Sequence, residues 1–372
     1  MNYYGNPNLL KSPKAAILNS RQSKRPTGYD PWIVNSLKAV SYCAENGYTV
    51  ISSIDINTYE IITFACAYYH VPVVVVLPPP RKPEPMIDEI LFQFKLKKNK
   101  TGFYRDETSS GKRKSHWLSR DEFIISSADT IIPVSVNPKG NLIKMIDRGA
   151  NNHIATDFQT DYAPQPRKLK EDYSNLTINE KAFGYGWDYL IHWTRTSNEP
   201  WPGETRYDYY KDITADTRSY PRSGLDTLKR ILSENTLRAS GKHLHKNLKA
   251  VAFSELHPEE ASKLMRWRPR YVSMSFEPYG IAIEKSCASQ LGIKKVLYGN
   301  PEMYDILPVD DKPFFHSIGE TGDWMPEKEY RRIGDLLLND IPADKMKVIV
   351  KSPAEAQGVY GLTKSEVTAL FE

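Results

Sequence analysis

Cysteine is scarce in this chain. Its 372 residues hold three, Cys43, Cys66 and Cys287, far apart and odd in number, which supports neither a disulfide framework nor a cysteine-based zinc site. Long apolar runs are missing as well. The densest, Val71 to Leu77, has the length of a buried strand and falls well short of the roughly 18–20 residues that span a bilayer. The N-terminus, Met1 to Lys14, lacks the apolar core of a secretory signal. These absences set the expectation of a cytoplasmic protein that spans no membrane. Nor does one sign of charge dominate: 50 Lys and Arg face 45 Asp and Glu, a net +5 that admits anionic ligands without demanding them. There is no G-x-G-x-x-G and no Walker A pattern, so a standard dinucleotide fingerprint and an NTPase phosphate loop are both excluded. No spacing of His, Cys, Asp and Glu reads as a metal site, and none is expected.

What is present is the composition of a globular chain, 40% apolar and 26% charged, long enough for about two domains. From Lys14 to about Thr160, short apolar runs alternate with amphipathic stretches, the pattern of an α/β Rossmann-like parallel sheet flanked by helices. Strands are expected at Ala15–Asn19, Thr49–Ile54, Val71–Leu77 and Thr130–Val136. Helices are expected over Tyr29–Asn46, where Pro31 suits a first turn and Gly47 a stop, over Asn57–His70, and near Pro85–Phe94 and Leu118–Ser127. In such sheets ligands sit beyond the carboxyl ends of the strands, which singles out Asn19, Ser20 and Arg21, Ser52 and Ser53, Pro78 to Arg81, and Ser135 to Gly140. The loop after the first strand offers hydroxyls, amides, Arg21 and Lys24 ahead of a helix, a chemistry suited to phosphate.

Between Phe94 and His116 the sequence FKLKKNKTGFYRDETSSGKRKSH interleaves lysine and arginine with Phe103 and Tyr104. Such a run is able to hold a nucleic-acid backbone, with Lys112, Arg113 and Lys114 as the leading candidates, and it reads equally as a solvated insertion. Residues 161–184 are charged, contain proline and lack periodicity. They form the expected linker between a domain at 1–160 and a mixed α+β domain at 185–372.

Several segments carry resemblances. ILNSRQSK, YDPWI, VISSID with NTYEI, and ADTIIPVSVNPKGNL together resemble the SLOG superfamily, which includes the DNA-processing protein DprA and the LOG phosphoribohydrolases. That resemblance implies a Rossmann-like domain that binds a nucleotide or nucleic acid, DNA or RNA. LOG enzymes carry P-G-G-x-G-T-x-x-E; the corresponding turn here reads SIDINTYE, and only Thr58 and Glu60 echo it. Loss of the glycines favours binding over hydrolysis, with a phosphoribohydrolase using Glu60 as an alternative.

In the second half, IHWTR (Ile191–Arg195), LKRIL with LRAS (Leu228–Ser240), AFSEL (Ala252–Leu256), F-x-x-Y-G-I (Phe276–Ile281) and G-x-W-x-x-E-x-E-Y-R (Gly322–Arg331) occur in an order that resembles the ADP-ribosyltransferase-like toxins of bacterial conflict, including DarT-type and AbiGi-like proteins. The resemblance implies NAD as substrate, antiviral defence as the setting, and an antitoxin or a second copy of the chain as a partner. Cleaving the nicotinamide–ribose bond builds positive charge on the sugar, which a carboxylate must face. Glu327 and Glu329, both leaving one face of an extended strand, are the candidates, with Arg331 as a salt partner if they are merely structural. His192 and Arg195 would orient NAD, Tyr279 or Phe276 would pack the nicotinamide, and Ser273 and Ser275 echo an S-x-S element of one branch. The competing reading is a DprA-like binding protein without NAD chemistry.

Overall fold

The computed structural model describes residues 2–78, 82–105, 113–148, 152–164, 171–173, 175–184, 186–215, 219–241, 244, 248–269, 271–318 and 325–372, with the backbone alone for 113–115. The chain forms two compact units. Met1–Arg167 with Glu204–Pro221 make the first, and Lys168–Gly203 with Arg222–Glu372 make the second. Among the described residues no helix is long and apolar enough to cross a membrane.

The first unit contains β1 (Asn2–Gly5), β2 (Lys14–Asn19), β3 (Thr49–Ser53), β4 (Val73–Leu77), β5 (Thr101–Arg105), β6 (Thr130–Ser135) and β7 (His153–Ile154). They lie in the order β1-β5-β4-β3-β2-β6-β7, parallel except for β1, which runs antiparallel to β5. The helices are α1 (Pro31–Glu45), α2 (Asn57–Tyr68), α3 (Pro83–Gln93), α4 (Arg113–Ser126), α5 (Asn141–Arg148) and α6 (Arg206–Ile213). Pro31 opens α1, whose buried stripe is Ile33, Ser36, Val40 and Cys43, and Gly47 at φ 69° turns the chain out of it. β4 reads VVVVL without alternation because both faces of a parallel sheet are covered. One face, with Ile17, Val50, Val75 and Val134, packs under α1, α2, α3 and α6; the other, with Ala16, Leu18, Ile51 and Ile131, packs under α4 and α5. The expected strands and helices are all present, with ends shifted by a few residues. The basic run at 94–116 conceals β5, where Phe103 is buried in the sheet and is not available for stacking on a base.

α6 is the element that sequence order would assign to the second half. RYDYYKDI is charged and aromatic, yet Tyr209, Tyr210 and Ile213 bury against the first core. Thr205 caps it, its hydroxyl accepting from the Asp208 N–H at 3.1 Å. What anchors it is Glu60, a carboxylate only 4% exposed in the first turn of α2. Arg206 Nη1 lies 2.6 Å from Glu60 Oε2, the Tyr210 hydroxyl donates to the same oxygen at 2.8 Å, and the Asp55 N–H donates to Oε1 at 3.1 Å.

The second unit runs through β8 (Tyr189–Trp193), α7 (Gly224–Glu234), β9 (Thr236–Leu237), β10 (Ala250–Ser254), α8 (Pro258–Lys263), β11 (Trp267–Arg268), β12 (Ser273–Met274), β13 (Gly280–Glu284), α9 (Lys285–Ala288), β14 (Lys294–Lys295), β15 (Leu297–Gly299), α10 (Met303–Ile306), β16 (Phe315–Ser317), β17 (Glu329–Ile333), β18 (Leu336–Leu337), β19 (Met346–Val350), α11 (Pro353–Ala356) and β20 (Glu366–Ala369). Its main sheet has the order β14-β17-β10-β8-β13-β19-β20, antiparallel except for the β19–β20 pair, so the unit is the expected α+β domain. Alternation divides its side chains cleanly. Leu190, Val251, Phe253, Ile281 and Val348 pack under α7, α9 and α11, and Ile191, Trp193, Ala282 and Ile349 pack on the other face with α8.

Glu60→Ala removes the shared acceptor of Arg206, Tyr210 and the Asp55 N–H and is expected to destabilise the first unit by about 3 kcal/mol or more, since a hydrogen bond to a charged group contributes roughly 1.5–3 kcal/mol. Tyr210→Phe, which removes one hydrogen bond to a charged oxygen, is expected to cost about 1.5–3 kcal/mol. Urea unfolding followed by tryptophan fluorescence measures both, and unchanged midpoints would mean that α6 docks without Glu60.

Candidate functional site

Strand order reverses beside β2. The crossover through α1 carries the chain to β3 on one side, whereas β6 arrives on the other, so the loops that follow β2 and β6 part and leave a crevice at the carboxyl edge of the sheet. A register shift between Leu18 and Asn19 breaks the β2–β6 ladder at that point. The loops remain tied across it: the Ser20 N–H donates to the Ser135 carbonyl at 2.8 Å, and the Asn137 N–H donates to Ser20 Oγ at 2.8 Å. Gln22 Nε2 donates to Ser135 Oγ at 3.0 Å, and Asn57 Nδ2 holds the Ser23 carbonyl at 2.6 Å.

Asn19, the last residue of β2, lies where these two loops part. Its Nδ2 donates to Ser36 Oγ at 2.9 Å, while its Oδ1, on a residue 8% exposed, has no hydrogen-bond partner among the described residues. An unmatched buried acceptor costs free energy that a donor would recover. Arg21 is exposed, its guanidinium 6.0 Å from the Trp117 ring of α4, and its own carbonyl accepts from the Tyr162 hydroxyl at 3.0 Å. Lys24 is exposed beside it. After β6, Asn137 Oδ1 accepts from the Lys139 N–H at 2.9 Å and Gly140 leads into α5, shaping a short turn of peptide N–H groups.

Of the other residues singled out in the first unit, 79–81 lie outside the described residues, and Ser52, Ser53, Thr58 and Glu60 are tied into the scaffold. Ser52 and Ser53 are fully buried; their hydroxyls donate to the Tyr59 carbonyl at 3.0 Å and the Val76 carbonyl at 2.7 Å. Thr58 is buried, and Glu60 is held by Arg206 and Tyr210. Lys112 lies outside the described residues, as do the side chains of Arg113 and Lys114.

In the second unit the register keeps the singled-out residues apart. Ser254 pairs with both Ile191 and Glu329, which puts Glu329 on the Ile191 face of the sheet. His192 pairs with Ile281 and faces the opposite side, edge-on to Phe253 at 5.9 Å, with its Nδ1 donating to the Ala252 carbonyl at 2.8 Å. Burial pushes the His192 pKa down, against the pull of that carbonyl. Tyr279 is buried on the His192 side, its hydroxyl donating to Glu355 at 3.1 Å and kept protonated by burial and the neighbouring carboxylate. His192, Tyr279 and Glu329 therefore do not share a cleft. Ser275 is buried and bonds the Leu264 and Arg266 carbonyls, Ser273 lies in the β11–β12 pair, Phe276 packs 6.4 Å from Trp193, and Arg195 is exposed.

Glu327 and Glu329 do not leave one strand face, because β17 begins only at Glu329 and Glu327 ends a short 3₁₀ turn. The partner of Glu329 two residues along the strand is Arg331, with Nε 2.7 Å from Oε1 and Nη2 3.0 Å from Oε2. His316 Nδ1 adds a contact at 3.3 Å. Burial works against ionisation, but the hydrogen bonds from His316 and Arg331 outweigh it and hold the Glu329 carboxyl below its ordinary range. Glu327 is pushed the other way by burial and by Glu329, despite Arg268 at 2.9 Å and the charges of Arg195 and His316. Arg206, Tyr210, Arg268 and His316 carry these two sites and were not singled out by motif. Each is an isolated polar residue whose role depends on a partner distant in sequence. Among the described residues no three His, Cys, Asp or Glu side chains gather as a metal site would.

No protein-family model matches the chain, and neither does any curated protein sequence. Among solved structures it is similar to DNA processing protein A of Streptococcus pneumoniae, at 15% identity and TM-score 0.33 over 41% of this chain and 52% of that one, about half its length. DNA processing protein A of Helicobacter pylori, described for its single-stranded DNA binding mode, aligns at 15% identity and TM-score 0.32 over 43% of this chain and 74% of that one. The molybdenum cofactor carrier protein of Chlamydomonas reinhardtii aligns at 10% identity and TM-score 0.25, over 38% of this chain and 74% of that one.

The Glu329–Arg331 pair has a pH signature. A carboxyl held low in the folded state stabilises fully above its unfolded value, about 4.3, and loses that contribution as pH falls through the folded value below it. Arg331→Met, which leaves Glu329 buried without its main partner, is expected to cost roughly 3–5 kcal/mol at pH 7 and much less near pH 3. Thermal melts of variant and parent across that range decide it, and a penalty independent of pH would reject the ion pair as its source.

Proposed function

We propose that the first unit is a nucleotide-binding domain whose crevice between the β2 and β6 loops receives the phosphate-bearing part of a nucleotide, free or as one unit of a DNA or RNA strand. The observation that carries this reading is the meeting, where strand order reverses, of an unmatched buried acceptor on Asn19 with the exposed Arg21 and the Trp117 ring. Each group has a complement in a nucleotide. The guanidinium matches phosphate oxygens, an indole face matches a base, and an amide oxygen matches a sugar hydroxyl or an exocyclic amine. Glu60 is engaged by Arg206 and Tyr210, which favours binding over base hydrolysis. Titration calorimetry of the full chain with nucleoside monophosphates tests it. Arg21→Ala is expected to weaken binding about tenfold or more, since hydrogen bonds to charged groups contribute roughly 1.5–3 kcal/mol. Binding unchanged by both Arg21→Ala and Asn19→Ala would remove the crevice from consideration.

A second reading keeps NAD chemistry in the second unit and rests on one observation, two neighbouring half-buried carboxylates, Glu327 against Arg268 and Glu329 against Arg331 and His316. In this reading Glu327 and Glu329 act without His192 and Tyr279, and Arg195 with Arg268 supplies positive charge for the NAD pyrophosphate. NAD consumption by the purified chain is its measure: activity lost in Glu327→Ala or Glu329→Ala supports it, and turnover surviving in the double variant rejects it.

A further inference from the structure

The parallel sheet of the first unit has a second edge, on the side of the strand amino termini, away from the crevice. Two chain reversals meet there. α2 ends at Tyr68 and turns through His70, at φ 58°, into β4; α3 ends at Gln93 and turns through Lys95, at φ 53°, toward β5. β4 and β5 are neighbours, so the two turns lie side by side. Lys100 Nζ donates to the His70 carbonyl at 2.8 Å, and Ala67, His70, Lys95, Lys97 and Lys100 line one shallow depression.

Aromatic rings stand at the first of these turns. Tyr68 is 49% and Tyr69 37% exposed, and their rings meet edge to face at 5.0 Å. Phe64, buried behind them, touches Tyr68 at 5.8 Å and Tyr207 at 5.1 Å, and Lys95 Nζ sits 4.8 Å over the Tyr207 ring. Asp208 and Asp88 partner Lys95 and Lys98, at 2.5 and 3.8 Å. Lys97 and Lys100 have no acidic partner among the described residues. Two wet tyrosine rings on a rigid helix end, beside lysines with uncompensated charge, combine base stacking with backbone attraction.

We infer that this edge is a binding surface for single-stranded nucleic acid, with Lys97, Lys98 and Lys100 on the phosphates and Tyr68 and Tyr69 stacking on unpaired bases. It stands independently of the crevice, which would hold a nucleotide at the opposite edge of the same sheet. A duplex hides its bases and offers the rings nothing to stack on.

Fluorescence anisotropy of the full chain with a labelled oligo-dT tests the surface. Lys97→Glu with Lys98→Glu is expected to weaken binding at least tenfold and to flatten the salt dependence. Tyr68→Ala with Tyr69→Ala is expected to weaken it about tenfold or more, and duplex DNA of equal length competes poorly. Urea midpoints equal to that of the parent chain show that the variants are folded. The inference is overturned by the absence of binding, by affinity indifferent to the two tyrosines, by equal competition from duplex, or by loss confined to Arg21→Ala, which would assign the strand to the crevice.

Discussion

A carboxylate taken out of water must be met by donors, and the way Glu60 is met governs how this chain is assembled. One donor is local, the Asp55 N–H; the other two, Arg206 and Tyr210, come from a helix roughly 150 positions further along the sequence. The first unit therefore is not complete until the chain has entered the second unit at residue 168, returned at Glu204 and left again after Pro221. The segments of the two units thus alternate along the chain. The same contact decides a chemical question. A carboxylate that already accepts from a guanidinium, a phenol and a peptide N–H has little capacity left to act as a base on a substrate, so the residue echoing the LOG glutamate serves the fold.

How far the sequence was legible follows from which forces are local. The strands of the first unit are apolar runs bounded by turn residues and its first two helices carry proline or asparagine at their starts, signals that act within a few residues, and their bounds were readable. α6 was not, because Tyr209, Tyr210 and Ile213 form a helical stripe only if tyrosine is counted as apolar. Tyrosine is counted so only when a core awaits it. β5 was hidden for the opposite reason: five residues behind a lysine run carry too little periodicity to stand out, and only the neighbouring β4 ladder makes them a strand.

The crevice was legible in part. Ser20, Arg21 and the loop from Ser135 to Gly140 follow from the rule that ligands meet the carboxyl ends of strands, a rule that needs strand order only at one place. Asn19 follows from the same rule, but its unmatched oxygen, beside a shift of register, is something no composition records. In the second unit the difficulty is parity. Placing His192 and Glu329 in one cleft requires that their strands pair with both residues on the same face, and a single residue of register reverses the answer. The pairing of Ser254 with Ile191 and Glu329 fixes that parity, and it sends the imidazole and the carboxylate to opposite sides.

The basic run at 94–116 shows how topology converts a sequence feature into two. Read along the chain it is one patch with Phe103 and Tyr104 in its middle. A parallel strand, however, carries the chain from one edge of the sheet to the other, and β5 does so at Thr101–Arg105. The lysines before it stay at the amino-terminal edge. The two rings of the run belong to the sheet: Phe103 is buried, and Tyr104 packs edge-on against Tyr3 and Phe123. The rings that accompany the lysines come instead from α2, because the turn out of that helix ends beside the turn out of α3. Charge and aromaticity are thus brought together by strand order, and the pair that matters is adjacent in space only because β4 and β5 are adjacent in the sheet.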